Sequence, residues 1–249
     1  MRSARAWGRM LRPRRLRILP RCGAARMIDL ERHGAVFVLQ MKAGENRFHP
    51  PFIEALAEAL DEVEASEGPA ALVTTGEGKF YSNGLDLVWM RGQQAAALGP
   101  FLASFQRLLG RLLAFPLPTV AAVNGHAFAG GAMFSLAHDF RVMREDRGFF
   151  CIPEVDLGFP LAPGLMALLR ARLPRTVLHE AIVTGRRYGG PDAVALRIAE
   201  AAVPEAAVVP RAIERAAALA GKDRTALAAL KRGMYAETLA VLEGTAAPG

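Results

Sequence analysis

The chain has 249 residues, enough for one domain with a sizeable core, and its 52% hydrophobic and 22% charged residues mark a globular protein. A formal charge of +7 invites a nucleic-acid partner, yet residues 1–26 hold nine arginines and no acid, and from Met27 onward 22 basic residues face 24 acidic ones. Outside that tail, composition makes no case for nucleic acid. Two cysteines, Cys22 and Cys151, exclude a disulfide framework and fit a reducing compartment. The run of about 18 apolar residues that a membrane span needs is absent, the nearest approach at 119–137 being broken by Asn, His and glycines.

The arginine-rich start has two readings, an organellar transit peptide or an upstream start placed ahead of Met27. We favour the second, because Met27 directly precedes the strand-like IDLERHGAVFVLQM. Either way, residues 1–26 are expected to be disordered or loosely placed, with a core at 27–190 and a helical region at 191–249. Location follows as cytoplasmic, or mitochondrial if the tail is a transit peptide. The terminal GTAAPG is not a peroxisomal address.

In chain order, Asp29–Arg32 and Ala35–Met41 read as strands joined by a hairpin at His33-Gly34. Pro50-Pro51 open a helix with Ile53, Leu56, Leu60 and Val63 on one face. Gly68-Pro69 end it, and Ala70–Thr75 gives the next strand. Phe101–Phe115 is helical by pattern and stops at Pro116, leading into a strand at Val120–Val123. This strand–helix–strand order predicts a parallel sheet with right-handed crossovers. Phe140–Met143 and Gly148–Ile152 read as further strands. After Pro153, helices are expected at Pro163–Arg172, Val177–Val183, Pro191–Ala199, Glu205–Ala220 and Arg224–Leu242, making the last third helical. Several are alanine-rich, a composition that suits packing against another subunit.

Two glycine corners stand out, each after a strand: Ser82-Asn83-Gly84 and Asn124-Gly125 with Ala129-Gly130-Gly131. Asp86 or Ser82 suits the cap of a following helical turn. The second corner runs from strand through turn to helix N-terminus, where unpaired N–H groups face a ligand. A packing corner is its competing explanation. Two such N–H groups converging would make an oxyanion hole. Glu154, flanked by Ile152, Pro153, Val155 and Leu157, is the best placed base, since apolar neighbours raise a carboxyl pKa. A solvated loop acid is the alternative for it. The five histidines lack metal-ligand spacing, no Gly-x-Ser-x-Gly elbow exists, and neither phosphate-loop nor dinucleotide patterns are completed. His126 fits a packing role at its turn, and Cys151 a buried strand.

The motifs FYSNGLDL, AVNGHAFAGGAMFSLAHD and TGRRYGGPDAVALRIAEAAVPE together resemble the crotonase (enoyl-CoA hydratase/isomerase) superfamily, from about Met27 to Leu242. The resemblance implies an α/β fold, a spiral of ββα units with a C-terminal helical trimerisation region, and a trimer or hexamer. It also implies an acyl-CoA thioester substrate, no cofactor apart from the CoA of the substrate, and no nucleic-acid or membrane partner. By it the N–H groups of Leu85 and Gly130 hold the thioester oxygen, and Ser82, Asn83, Gly84 and Asp86 line the CoA path. Hydratases of the family carry two glutamates; here the first position is Met133 and only the second, Glu154, remains. One carboxylate suffices for a 1,3-proton shift, so the pattern is most similar to Δ3,Δ2-enoyl-CoA isomerases of fatty-acid β-oxidation. Met133, Phe134 and Phe159 are then expected to line a dry pocket. Another crotonase-type reaction (hydration or thioester hydrolysis) and a non-catalytic acyl-CoA-binding paralogue are the alternatives.

Overall fold

The computed structural model describes the backbone of Arg14–Leu16 and residues 27–245. Its first strand, β1 (Arg14–Leu16), pairs antiparallel with Leu30–Arg32 and covers a sheet edge otherwise left open. Of the segment 1–26, expected to be disordered or loosely placed, this strand is the described part; the rest of that segment, Cys22 included, and residues 246–249 lie outside the described residues. β2 (Ile28–His33) and β3 (Val36–Met41) form the expected hairpin, with Gly34 at φ +62 in the turn.

From there the chain repeats one step. A strand joins a large sheet, the next strand joins a small sheet, and a helix returns the chain. Thus α1 (Pro50–Glu64) leads to β4 (Ala71–Thr75) in the large sheet and β5 (Phe80–Ser82) in the small one, followed by α2 (Leu87–Arg91) and α3 (Ala95–Leu113). β6 (Thr119–Val123), β7 (His126–Phe128) and α4 (Gly130–Leu136) repeat it. So do β8 (Phe140–Arg144), β9 (Phe150–Cys151) and the helices α5 (Glu154–Leu157), α6 (Pro163–Arg172) and α7 (Arg175–Thr184). β10 (Arg187–Tyr188), α8 (Gly190–Ala195) and β11 (Ala201–Val203) close the spiral before α9 (Glu205–Ala217), α10 (Arg224–Met234) and α11 (Ala236–Leu242). The large sheet runs β1-β2-β3-β4-β6-β8-β11, parallel from β3 onward, and the small sheet runs β10-β9-β7-β5. This is the spiral α/β fold that the motifs implied.

Five strands escaped the sequence pattern: β1, β5, β7, β10 and β11. Each has two or three residues, too short for a period to show. The last third is therefore not purely helical. The expected helix Arg224–Leu242 is likewise broken at Tyr235 (φ −112, ψ 21), whose hydroxyl accepts from Arg172 Nη1 at 2.5 Å. That side-chain anchor turns α11 onto α6 and α3, where Leu242 meets the glycines Gly164 and Gly110.

The main core lies on one face of the large sheet and includes Phe37, Phe52, Leu72, Phe105, Leu109 and Phe134, all fully buried. α9 covers the opposite face with Val208, Ala212 and Ala216 against Val73, Val120 and Val142. Its alanines thus serve this chain's own sheet, because a small side chain lets helix and sheet approach closely. Among the described residues no helix is long and apolar enough to cross a membrane.

One buried cation fastens the C-terminal helices. Lys231 of α10 donates to Phe115 O and Leu117 O, both at 3.0 Å, and to Asp139 Oδ2 at 2.7 Å. Asp139 in turn accepts from the backbone and hydroxyl of Thr119. All three ammonium protons are used, which offsets the desolvation of a side chain only 4% exposed. Lys231→Met is expected to cost about 3 kcal/mol, since it strands Asp139 and two carbonyls. The check is urea unfolding, with a lowered midpoint and an unchanged slope.

Candidate active site

The two glycine corners come together at one place. β5 and β7 are parallel neighbours in the small sheet, so the turns at their C-terminal ends lie side by side. At the first corner, Gly84 takes φ +83, and a Cβ there would sit 3.0 Å from Phe128 O and 3.1 Å from Gly130 N. At the second, a Cβ on Gly131 would sit 2.3 Å from Ser82 O. Only glycine permits this approach.

The same geometry frees two N–H groups. Phe48 bridges to Leu85 in parallel fashion, with Phe48 N–H donating to Gly84 O at 2.8 Å and Asp86 N–H to Phe48 O at 2.9 Å. A parallel bridge of this kind uses the groups flanking Leu85, so the N–H of Leu85 itself points away from Phe48. Gly130 is the first residue of α4, where an N–H has no acceptor within the helix. It follows Ala129, which is held at φ +50, ψ −121, a region costly for a residue with a Cβ. Backbone strain of this kind clusters at active sites and ligand clamps.

Leu85, Gly130, Met133 and Glu154 line one cavity of about 470 Å³. Leu87, Met90, Leu98, Leu102 and Phe105 from α2 and α3 form one apolar wall, and Phe159, Leu161 and Leu165 form another. Glu154 is the one acid among the described lining residues. It opens α5, and its Oε2 is buried with no hydrogen-bond partner. Burial pushes its carboxyl up to about 7. The neighbouring Cys151 is also pushed up by burial, to about 11, and its thiol donates to Gly185 O, so it is no nucleophile.

The remaining residues singled out in the sequence fall in five places. Asn83 lines the cavity, held by its N–H to Glu45 O at 2.9 Å and by its amide to Glu45 Oε2 at 2.7 Å. The hydrogen bond from Asn83 is the leading cause that lowers the Glu45 pKa. Asp86 is the cap of α2, accepting from Val88 N and Trp89 N at 3.1 and 3.0 Å. Ser82 is fully buried behind the corner, its Oγ donating to Asn46 O at 2.7 Å and accepting from Gly84 N. Phe134 lies outside the cavity lining, one turn from Gly130 but on the core side of α4, between Phe48, Tyr81 and His138. Met133 and Phe159 do line the cavity. His126 packs among Phe80, Phe128 and Phe149.

Two supports were not read from the sequence. Asn46, at φ +51 and fully buried, donates to Tyr81 O at 3.1 Å and accepts from Ala43 N, pinning β5 from behind. Asparagine's tolerance of positive φ was the available signal, in the stretch KAGENRFHPP. A buried chain, Tyr81 hydroxyl to Thr74 Oγ1 at 2.8 Å and Thr74 Oγ1 to His138 Nε2 at 2.9 Å, ties β5 to β4 and to the end of α4. His138 Nδ1 lies 2.9 Å from Phe134 O, and burial holds this ring neutral, with a pKa of about 3. Among the described residues no group of three or more His, Cys, Asp or Glu is placed to hold a metal.

Gly131→Ala is expected to destabilise the fold by about 1–3 kcal/mol, because α4 must move off Ser82 O to make room. Thermal unfolding measures it, and a Gly131→Ala variant as stable as the wild type would contradict the close approach.

Residues 31–246 match the family model described as enoyl-CoA hydratase/isomerase. The chain is 36% identical over 230 residues to enoyl-CoA delta isomerase 3 of Arabidopsis thaliana, covering 88% of this chain and 97% of that one. Among solved structures, a Mycobacterium tuberculosis protein named an enoyl-CoA isomerase in one structure and a probable enoyl-CoA hydratase in another superposes with TM-scores of 0.81 and 0.82 at 28% and 27% identity, covering 88% of this chain and 95% and 93% of the other. A protein of Mycobacterium marinum named an enoyl-CoA hydratase superposes with the same TM-score of 0.81 at 28% identity, covering 88% and 96%. Fold, motifs and relatives agree: this chain belongs to the enoyl-CoA hydratase/isomerase family, the crotonase superfamily.

Proposed function

We propose that the protein is a Δ3,Δ2-enoyl-CoA isomerase that moves the double bond of a 3-enoyl-CoA to the 2-trans position with one base. The observation that carries this reading is the cavity lining, where Glu154 is the one acid among the described lining residues and Met133 also lines the wall; by the motif resemblance Met133 stands where hydratases carry the first of their two glutamates. Addition of water needs two carboxylates to position and activate it, and a thioether does neither. Relatives named as isomerases support the same reading, at 36% and 35% identity over most of their length.

The thioester oxygen lies against the N–H groups of Leu85 and Gly130. Glu154 removes a proton from C2, and negative charge develops on that oxygen as a dienolate forms. Each backbone donor of such a hole is worth about 3–4 kcal/mol in the transition state, since it is fixed before the charge appears. The protonated Glu154 then delivers its proton to C4, and the conjugated thioester leaves. A carboxyl held at about 7 suits both halves, being basic enough to take a carbon-bound proton and acidic enough to return it. The apolar walls keep water from the dienolate. No cofactor beyond the CoA of the substrate enters these steps. Exposed Leu230 and Met234 on α10, 71% and 67% exposed, support an assembly of several copies, a trimer or hexamer in our proposal.

Trans-3-hexenoyl-CoA is the test substrate, with formation of conjugated 2-enoyl-CoA and of 3-hydroxyacyl-CoA followed together. The wild type is expected to give the conjugated product, and Glu154→Gln to lose two or more decades of kcat, about 10²–10⁴-fold. Equal rates would remove Glu154 from the mechanism, and hydroxyacyl-CoA as the main product would replace isomerisation by hydration. The pH dependence has a fixed sign. The active form of Glu154 is the carboxylate, so kcat rises with pH and levels off above about 7.

Stability runs the other way. The folded protein holds the Glu154 proton to higher pH than the unfolded chain does. It therefore loses up to about 3 kcal/mol as pH rises from about 4.5 through about 7. Glu154→Gln abolishes that loss, and chemical unfolding at the two ends of the range measures it.

A further inference from the structure

Glu154 borders two cavities. Beyond the one that holds the free N–H groups lies a second, of about 600 Å³, and the two share Glu154, Phe159, Pro160 and Leu161 as a common wall. Its far side is formed by Val155, Met166, Ala167, Ile182 and Val241, from α5, α6, α7 and α11. Past Met166, Arg170 and Ile182 the lining gives way to Arg175 and His179, so the apolar stretch has a charged end.

Apart from Glu154, the shared wall is the single segment Phe159–Leu161. It follows Gly158, which caps α5 in the left-handed conformation with no atom within 4 Å of where a Cβ would stand. Phe159 is 45% exposed, so packing does not lock the wall in place. In a 1,3-proton shift both C2 and C4 must reach the Glu154 carboxyl. The carbons beyond C4 therefore start at Glu154, against that wall. We propose that the second cavity takes the distal part of the acyl chain, and that long-chain 3-enoyl thioesters are the substrate class. The proposal rests on the isomerase reading, which is what puts C4 at Glu154.

The test needs no turnover. Butyryl-, octanoyl- and dodecanoyl-CoA, all saturated, are titrated calorimetrically into the full-length protein. Affinity is expected to rise from octanoyl to dodecanoyl by at least tenfold, out of a ceiling of about fourfold per methylene for complete burial. Ile182→Trp fills the second cavity and is expected to lower the dodecanoyl-to-butyryl affinity ratio by tenfold or more. Val241→Phe, on a different helix, is expected to do the same, which separates occupancy from misfolding of one variant.

An affinity that stops rising at octanoyl, with isomerase activity intact, overturns this proposal alone. A rising series in a protein without isomerase activity removes the reaction and keeps the occupant. A ratio lowered by Leu98→Trp and not by Ile182→Trp places the tail against α3 and overturns the proposal. So does an Ile182→Trp protein with an unchanged series and a lower mass in solution, which assigns the groove to a second copy of this chain.

Discussion

Everything at the site depends on the approach of α4 to the end of β5. With 2.3 Å between Ser82 O and a Cβ on Gly131, the helix can start where it does only if that residue has no side chain. The approach fixes two things together. It brings the Gly130 N–H beside the Gly84-Leu85 turn, and it turns Met133, one helical turn on, toward the same cavity while Phe134 goes to the core. Nothing in either corner alone would make a site. Their juxtaposition follows from the parallel pairing of β5 with β7, a contact between residues more than forty positions apart in sequence.

Such an approach has to be held against its own strain. Ala129 carries positive φ without being glycine, and Asn46 does the same behind β5. Both are over-determined by neighbours: Ala129 N–H donates to Cys151 O, and Asn46 is bonded on its side chain and backbone. The Tyr81–Thr74–His138 chain adds a buried, fully paired polar tie between the sheets and α4. Satisfied networks of this kind favour one arrangement over near alternatives, because any shift leaves a polar group unpaired in a dry core. Glu154 is the reverse case. Its Oε2 is buried and unpartnered, a destabilising arrangement of the kind that gathers at functional sites.

Much of this was legible in the sequence, for identifiable reasons. Long elements announce themselves by period: α1 and β3 fall where Ile53, Leu56 and Leu60 and the run VFVLQM put them. The corners were readable because Asn-Gly and Gly-Gly have few other uses after a strand. Glu154 was readable as an acid among apolar neighbours. What could not be read was set by distant contacts. β5 and β7 are too short to show alternation and exist because they pair with each other. The break at Tyr235 is made by Arg172, 63 residues away. Ser82 and Phe134 sit in motifs that line a site, yet which face each presents depends on the register of β5 and the rotation of α4. The second cavity behind Phe159 is assembled from four helices and has no local signature.

The most direct measurement of the single-base mechanism is the fate of the C2 proton. A 3-enoyl-CoA deuterated at C2 is converted in ordinary water, and the product is examined for label at C4. One buried carboxyl that takes the proton and returns it leaves a clear fraction of the deuterium at C4. A product that carries no label at C4 from the outset, its new proton drawn wholly from solvent, would contradict a single shielded base and require a second group or a water in the path.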